Sequence, residues 1–272
     1  MSKRVLITGA ATGFGRGTAL ELAKRGHTVI AGVQIAPQVT ELMKVAGEAG
    51  VQLKVQVLDI NDEGDRQAAL ANEVDVLVNN AGVMETGPVA EIPMDRVRRN
   101  FETNVFGTVA LTQGFARQMV ARGSGKIMMV TSMGGLVTVP FAGIYCATKH
   151  ALEAIAEALK AELAGTGVDV CTVNPGVYGT GFNDRGAETM MRWFDMSKSL
   201  TRPDVLAAAA GGLSSQHDPQ GMIDAFVRIV EEEGSKFRNV VPDATAEWIR
   251  EVQAKTWDAG KDEAIWSAPP AG

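Results

Sequence analysis

Arg4-Val5-Leu6-Ile7-Thr8-Gly9-Ala10-Ala11-Thr12-Gly13-Phe14-Gly15 is the stretch on which the architecture turns. A short continuous apolar run ends in a cluster of glycines, and a helical pattern follows over residues 15–25. Glycines so placed permit a tight turn and let backbone N–H groups approach a pyrophosphate at a helix N-terminus. The spacing is G-x-x-x-G-x-G rather than the commoner G-x-G-x-x-G. No lysine followed by Ser or Thr completes the loop, which disfavours a nucleoside-triphosphate site.

Outward from this unit, β-rich runs at 4–8, 28–33, 51–58, 74–79, 126–132 and 168–174 alternate with helical patterns at 15–25, 38–46, 62–71, 95–122 and 144–164. The runs are continuously apolar, as befits strands covered on both faces. This rhythm predicts an α/β fold, a doubly wound, Rossmann-like parallel sheet with helices on both faces. It breaks over 176–237, which reads as turns and helices inserted after the sixth strand. A last strand at 237–241 and a helix at 244–257 follow. No tandem repeat or Ser/Pro-rich linker interrupts the chain, so residues 1–266 read as a single domain. Residues 181–220 are expected to form a substrate lid, and 267–272 a frayed tail.

Of the 272 residues, 46% are apolar, enough for a full core, and a formal charge of −6 argues against a nucleic-acid partner. Two cysteines, Cys146 and Cys171, fall short of a disulfide framework. No signal peptide or membrane-length apolar run is apparent, so the expectation is a soluble, cytoplasmic protein with no membrane partner.

After the fourth strand comes Asn79-Asn80-Ala81-Gly82. Together with Thr8-Gly9-x-x-x-Gly13-x-Gly15, it makes residues 4–182 resemble the single-domain branch of the short-chain dehydrogenase/reductase family. The resemblance implies that Gly9, Thr12, Gly13, Phe14 and Gly15 cradle a nicotinamide dinucleotide. It implies that Asp59, with Ile60 beside it, meets the adenine, and that Asn80, Ala81 and Gly82 line the adenosine side. Read singly, Asp59 is a turn residue and Asn79 a strand cap; their joint order carries the weight.

Tyr145 and Lys149 lie four residues apart at the start of a helical segment, on one face. An ammonium near a phenol favours the phenolate, which can take an alcohol's proton while hydride leaves carbon; in reduction the phenol donates instead. Ser132 could orient the reacting oxygen. The resemblance adds Asn104 as support for a water-borne proton relay, and gives Lys149 the nicotinamide ribose. It also sets Pro175, Gly176, Val177 and Thr180 against the nicotinamide and phosphates. A lone Tyr-x-x-x-Lys is usually a solvated helix face, but here the whole ordered set is present.

Other chemistries fit poorly. Ser132 has no G-x-S-x-G elbow, the histidines (His27, His150 and His217) have no triad spacing, and no His or Cys pair has metal-ligand spacing. The runner-up is a catalytically idle dinucleotide-binding sensor or scaffold, for which a phenol beside a lysine would be superfluous.

At the end of the second strand the family carries an acid for NAD or an arginine for NADP, where this chain has Val33 and Gln34. Thr12 stands where NADP users often carry a cation. The missing cations favour NAD(H) over NADP(H). Leu136, Val137, Val139, Phe141 and Met190–Phe194 are expected around the hydride site, implying a small apolar alcohol or ketone; the bland alternative for Met190–Phe194 is core packing. The Thr12–Arg16 loop and the Thr103–Gly107 stretch resemble those of retinol- and hydroxysteroid-dehydrogenase-like members. Small residues along 95–122 and 144–164 suggest pairing into a homodimer or homotetramer.

Overall fold

The computed structural model describes residues 2–210, 216–263 and 265–268. Seven parallel strands run β1 (Arg4–Ile7), β2 (Thr28–Val33), β3 (Lys54–Val57), β4 (Val76–Asn79), β5 (Gly125–Val130), β6 (Val168–Pro175) and β7 (Arg238–Val241). They are ordered β3-β2-β1-β4-β5-β6-β7. In register, Leu6 faces Ile30 on one side and Leu77 on the other. The order reverses between β1 and β4, the crevice where open α/β sheets bind ligands.

Successive strand residues point to opposite faces, so each β-run feeds two cores. Val5, Ile7, Val76 and Val78 pack with Leu22 of α1 (Gly13–Lys24), Leu42 of α2 (Ala36–Glu48) and Phe226 of α9 (Pro219–Glu231). Leu6, Leu77, Ile127 and Met129 pack with Leu111 and Phe115 of α5 (Thr108–Arg122) and Ala156 of α6 (Gly143–Glu162). The remaining helices are α3 (Glu63–Leu70), α4 (Met94–Phe101), α7 (Phe182–Met191), α8 (Pro203–Ala210) and α10 (Asp243–Asp258).

Three details depart from the sequence reading. The helix expected over 95–122 is α4 and α5 joined by a π-helical turn, Glu102–Gly107. That wider turn carries Asn104 into the interior. The stretch expected as an insertion over 176–237 contains α9, an ordinary crossover helix between β6 and β7, with Met222, Phe226, Ile229 and Val230 fully buried. Thirdly, β3 begins at Lys54, three residues later than its apolar run.

Candidate active site

The glycine loop leaves β1 and opens α1. Gly9 has φ +64, and a Cβ there would lie 2.8 Å from the Ala81 Cα; at Gly15 one would lie 2.6 Å from the Gly9 oxygen. Close backbone contact therefore explains these two glycines. The Thr8 hydroxyl accepts from the amides of Asn80 (3.0 Å) and Ala81 (2.9 Å), while Asn80 Nδ2 donates to the Thr8 carbonyl at 2.9 Å. The turns after β1 and β4 are thus stitched into one rim. Thr12 caps α1 without a side-chain hydrogen bond, so the first-turn amides keep the capacity to hold an anion.

Ser132 follows β5, and Tyr145 and Lys149 share a face of α6. Tyr145 is 9% exposed and Lys149 4%. Lys149 Nζ donates to the Val130 carbonyl at 2.8 Å and sits 5.7 Å from the Tyr145 ring centroid. Burial pulls its pKa from 10.5 to about 8, with Glu153 opposing the fall. Burial also pushes the Tyr145 phenol well above its ordinary value, while the Ser132 hydroxyl acts the other way. Among the protein's own groups desolvation therefore dominates, so the phenol is held protonated.

Asn104 is fully buried. Its Oδ1 accepts from the Val83 amide at 2.8 Å, and its Nδ2 donates to the Val83 carbonyl (2.8 Å) and Thr148 Oγ1 (3.0 Å). It clamps the loop segment that follows Gly82. A Cβ on Gly82 would meet both Asn104 Oδ1, at 3.3 Å, and Lys149 Nζ, at 3.7 Å.

One cavity of about 420 Å³ joins these parts. Gly9, Thr12, Gly13, Phe14, Gln34, Asn80 and Gly82 line it together with Ser132, Tyr145, Lys149, Pro175, Gly176, Val177 and Thr180. Gly15, Val33, Ile60, Ala81 and Asn104 lie behind the lining: Val33 and Ile60 are core residues, and Ala81 packs beneath Gly9. Asp59 also stands back, its two oxygens accepting from Gln34 Nε2 (3.1 Å) and the Asn61 amide (3.0 Å).

Val139, Phe141 and Met190 also face the cavity, with Met84, Phe182 and Leu206. Phe141 holds φ +64, a left-handed conformation rare for a bulky residue, as found where a site imposes strain. The rest of the expected wall lies elsewhere. Leu136 and Val137 pack on Trp248, Ile249 and Val252 of α10. Met191 is 80% exposed, and Trp193 stacks edge-on with Phe194 over Gly87.

Gln38, Arg185 and Trp266 also line the cavity and were not singled out from the sequence. Gln38 had a local signal, lying three residues after the α2 N-cap; Trp266 is brought in by the segment after α10, where Trp248 Nε1 donates to Ser267 Oγ at 3.1 Å. Ser267 opens the segment expected to fray, while residues 269–272 lie outside those described. So do 211–215 within the expected lid. Among the described residues, no group of three His, Cys, Asp or Glu side chains could hold a metal ion, and no helix is long and apolar enough to cross a membrane.

The pattern described as short chain dehydrogenase matches residues 3–190. The oxidoreductase YbbO of Escherichia coli (strain K12) is 34% identical over 243 residues, 88% of this chain and 85% of that protein. The estradiol 17-beta-dehydrogenase 2 of Mus musculus is 35% identical over 73% of this chain and 53% of its own length. A short-chain dehydrogenase structure from Streptomyces avermitilis superposes with TM-score 0.77 at 26% identity, covering 94% of both chains. One from Burkholderia phymatum in complex with NAD has the same fold, with TM-score 0.80 at 24% identity over 98% of both chains. With glycine loop, Asn-Asn-Ala-Gly turn and tyrosine helix in one order around one cavity, this chain is an oxidoreductase of the short-chain dehydrogenase/reductase family.

Proposed function

We propose that the protein transfers hydride between a nicotinamide dinucleotide and the CH–OH or C=O carbon of a small apolar alcohol or ketone. The observation that carries this reading is the single cavity in which Ser132, Tyr145 and Lys149 meet the glycine loop. The loop fits a dinucleotide, because its Cβ-free backbone and uncapped helix end leave a cradle for a pyrophosphate. Gly9, Thr12, Gly13 and Phe14 would hold it, with Asn80 and Gly82 on the adenosine side and Pro175, Gly176, Val177 and Thr180 towards the nicotinamide. When bound, the nicotinamide supplies or accepts the hydride. In reduction Tyr145 donates its phenolic proton to the carbonyl oxygen, and Ser132 holds that oxygen by a hydrogen bond. Lys149 stabilises the resulting phenolate and binds ribose hydroxyls, while Asn104 fixes the floor beneath Lys149. The apolar wall of Met84, Phe141, Phe182, Met190 and Leu206 supports an apolar substrate, as do relatives named for estradiol and 3-ketodihydrosphingosine.

Nicotinamide absorbance against a panel of ketones and alcohols tests the reading. Turnover with at least one apolar carbonyl is the expected result. Dinucleotide binding with no turnover across the panel would replace it by the idle binder.

We infer a preference for NAD(H) from the second strand's end. Gln38 Oε1 already accepts from the backbone amides of Gln34 (2.9 Å) and Ile35 (3.3 Å), the donors a ribose phosphate would seek at the head of α2. Gln34→Arg should raise kcat/KM for NADP(H) relative to NAD(H) by about tenfold, by supplying a fork for the 2′-phosphate. A wild-type enzyme that already favours NADP(H) would overturn the preference.

The lid is proposed to be α7 and α8. Thr86 ties α7 to the loop after β4, its Oγ1 donating to the Gly186 carbonyl at 2.7 Å. Met190→Ala should raise KM for bulky apolar ketones several-fold more than for small ones, with dinucleotide affinity unchanged. Equal effects on both would remove Met190 from the substrate wall. Helices α5 and α6 remain the proposed pairing faces of a homodimer or homotetramer.

A further inference from the structure

One helical turn beyond Lys149, Glu153 is only 5% exposed. Its Oε1 accepts from Thr131 Oγ1 at 2.5 Å and Asn174 Nδ2 at 2.6 Å, and its Oε2 accepts from Arg238 Nε at 3.1 Å. Asn174 Nδ2 also donates to Thr131 Oγ1 at 2.7 Å, and Asn174 Oδ1 accepts from Thr172 Oγ1 at 3.1 Å. Three donors, Thr131 just after β5, Asn174 of β6 and Arg238 of β7, converge on this side chain, the environment of an ionised carboxylate, which only accepts. A buried charge pair is a poor stabiliser, since well-packed apolar side chains in its place are often as good or better. Its reason therefore lies in what it touches.

Those contacts lead to the reaction centre. Thr131 precedes Ser132, and Asn174 precedes the Pro175-Gly176 turn. Glu153 itself stands on the helix that carries Tyr145 and Lys149. We propose that Glu153 is a positioning residue for hydride transfer, its carboxylate tying the ends of β5 and β6 to the helix that carries Tyr145 and Lys149. This rests on the reaction proposed above.

Of the charged and titratable groups, on α6 lie Tyr145, Cys146, Lys149, His150, Glu157, Lys160 and Glu162; β7 contributes Arg238, whose Nη2 is 3.9 Å from Glu157 Oε2. The residue after β5 and the end of β6 present the neutral Thr131 and Asn174. Arg238 is 41% exposed, so water screens part of its compensation of Glu153, while Lys149 is enclosed. Burial drives Lys149 towards its neutral form, and Glu153 is the group that opposes it.

Glu153→Gln keeps the shape and removes the charge. Lys149 should then lose its proton at lower pH, moving the alkaline limb of kcat/KM for the dinucleotide down by about one unit, or tenfold in proton concentration. Dinucleotide affinity, followed by binding titration without substrate, should fall off over the same shifted range. Glu153→Asp should keep the limb in place. Arg238→Gln, which leaves the carboxylate uncompensated, should move the limb up, so the proposal is tested even if Glu153→Gln fails to fold. Uniform loss of activity at every pH, with unmoved limbs in the variants that fold, would show Glu153 to be structural only and overturn the proposal. Absence of turnover in the wild type would instead overturn the reaction, leaving the binding curves to judge Glu153.

Discussion

Tyr145→Phe is expected to abolish turnover by about a thousand-fold, or ~4 kcal/mol of transition-state stabilisation, while leaving fold and dinucleotide affinity intact. The change removes one oxygen. The ring stays in its packing, 6.0 Å from the Phe182 ring and against Ala142 and Cys146. Stability should therefore hold, because burial disfavours the phenolate and loses little when the hydroxyl is deleted. What vanishes is the phenolic proton donor that lines the cavity together with Ser132 and Lys149. Steady-state kinetics and a dinucleotide titration on the same preparation check the split. A variant that keeps near-wild-type kcat would remove Tyr145 from the chemistry. One that loses dinucleotide affinity in proportion would make it a binding residue.

Legibility in the sequence followed the range of the forces involved. β1, the glycine turn and α1 are set by neighbours in the chain, so the run Val5-Leu6-Ile7 and the glycines announced them. The pairing of Tyr145 with Lys149 is a single helical turn and was equally open to reading. Asn104 was named, but not its posture, because the π-helical turn that swings it inward depends on Val83 and Thr148 from distant elements. The helix α9 was blurred because its neighbours are broken, although its own buried face is strong. Val33 and Gln34 show the limit most clearly. Val33, the last residue of β2, enters the core, while Gln34 in the bend beyond it meets the cavity. Trp266 lay beyond any local pattern, its place fixed by α10 and the Trp248–Ser267 hydrogen bond. Glu153 carries no local signal, because its partners Thr131, Asn174 and Arg238 come from distant parts of the chain.

Lys149→Met should lower turnover at least about a hundred-fold and weaken dinucleotide binding about tenfold, roughly 1.4 kcal/mol, because proton chemistry and ribose contact rest on one amine. Stability should respond differently. Methionine nearly matches the lysine stem and needs no hydration, so removing a 4% exposed ammonium offsets the lost hydrogen bond to the Val130 carbonyl. The pH dependence gives the signature. In the folded wild type Lys149 titrates at about 8, against 10.5 when unfolded. Below about pH 8 both states carry the proton, and the folded state bears the full burial penalty. Between about pH 8 and 10.5 the unfolded chain binds more protons, so this residue makes wild-type stability rise with pH, by up to about 3 kcal/mol across the window. The methionine variant lacks that rise. Urea unfolding of both proteins at pH 7.5 and 10 isolates the effect as a difference, cancelling the groups they share. The variant's advantage should be largest at pH 7.5 and shrink at pH 10. A constant difference would mean that the amine titrates alike in both states. That would leave Lys149 solvated rather than enclosed, and would undo the account of how Glu153 and the cavity hold its charge.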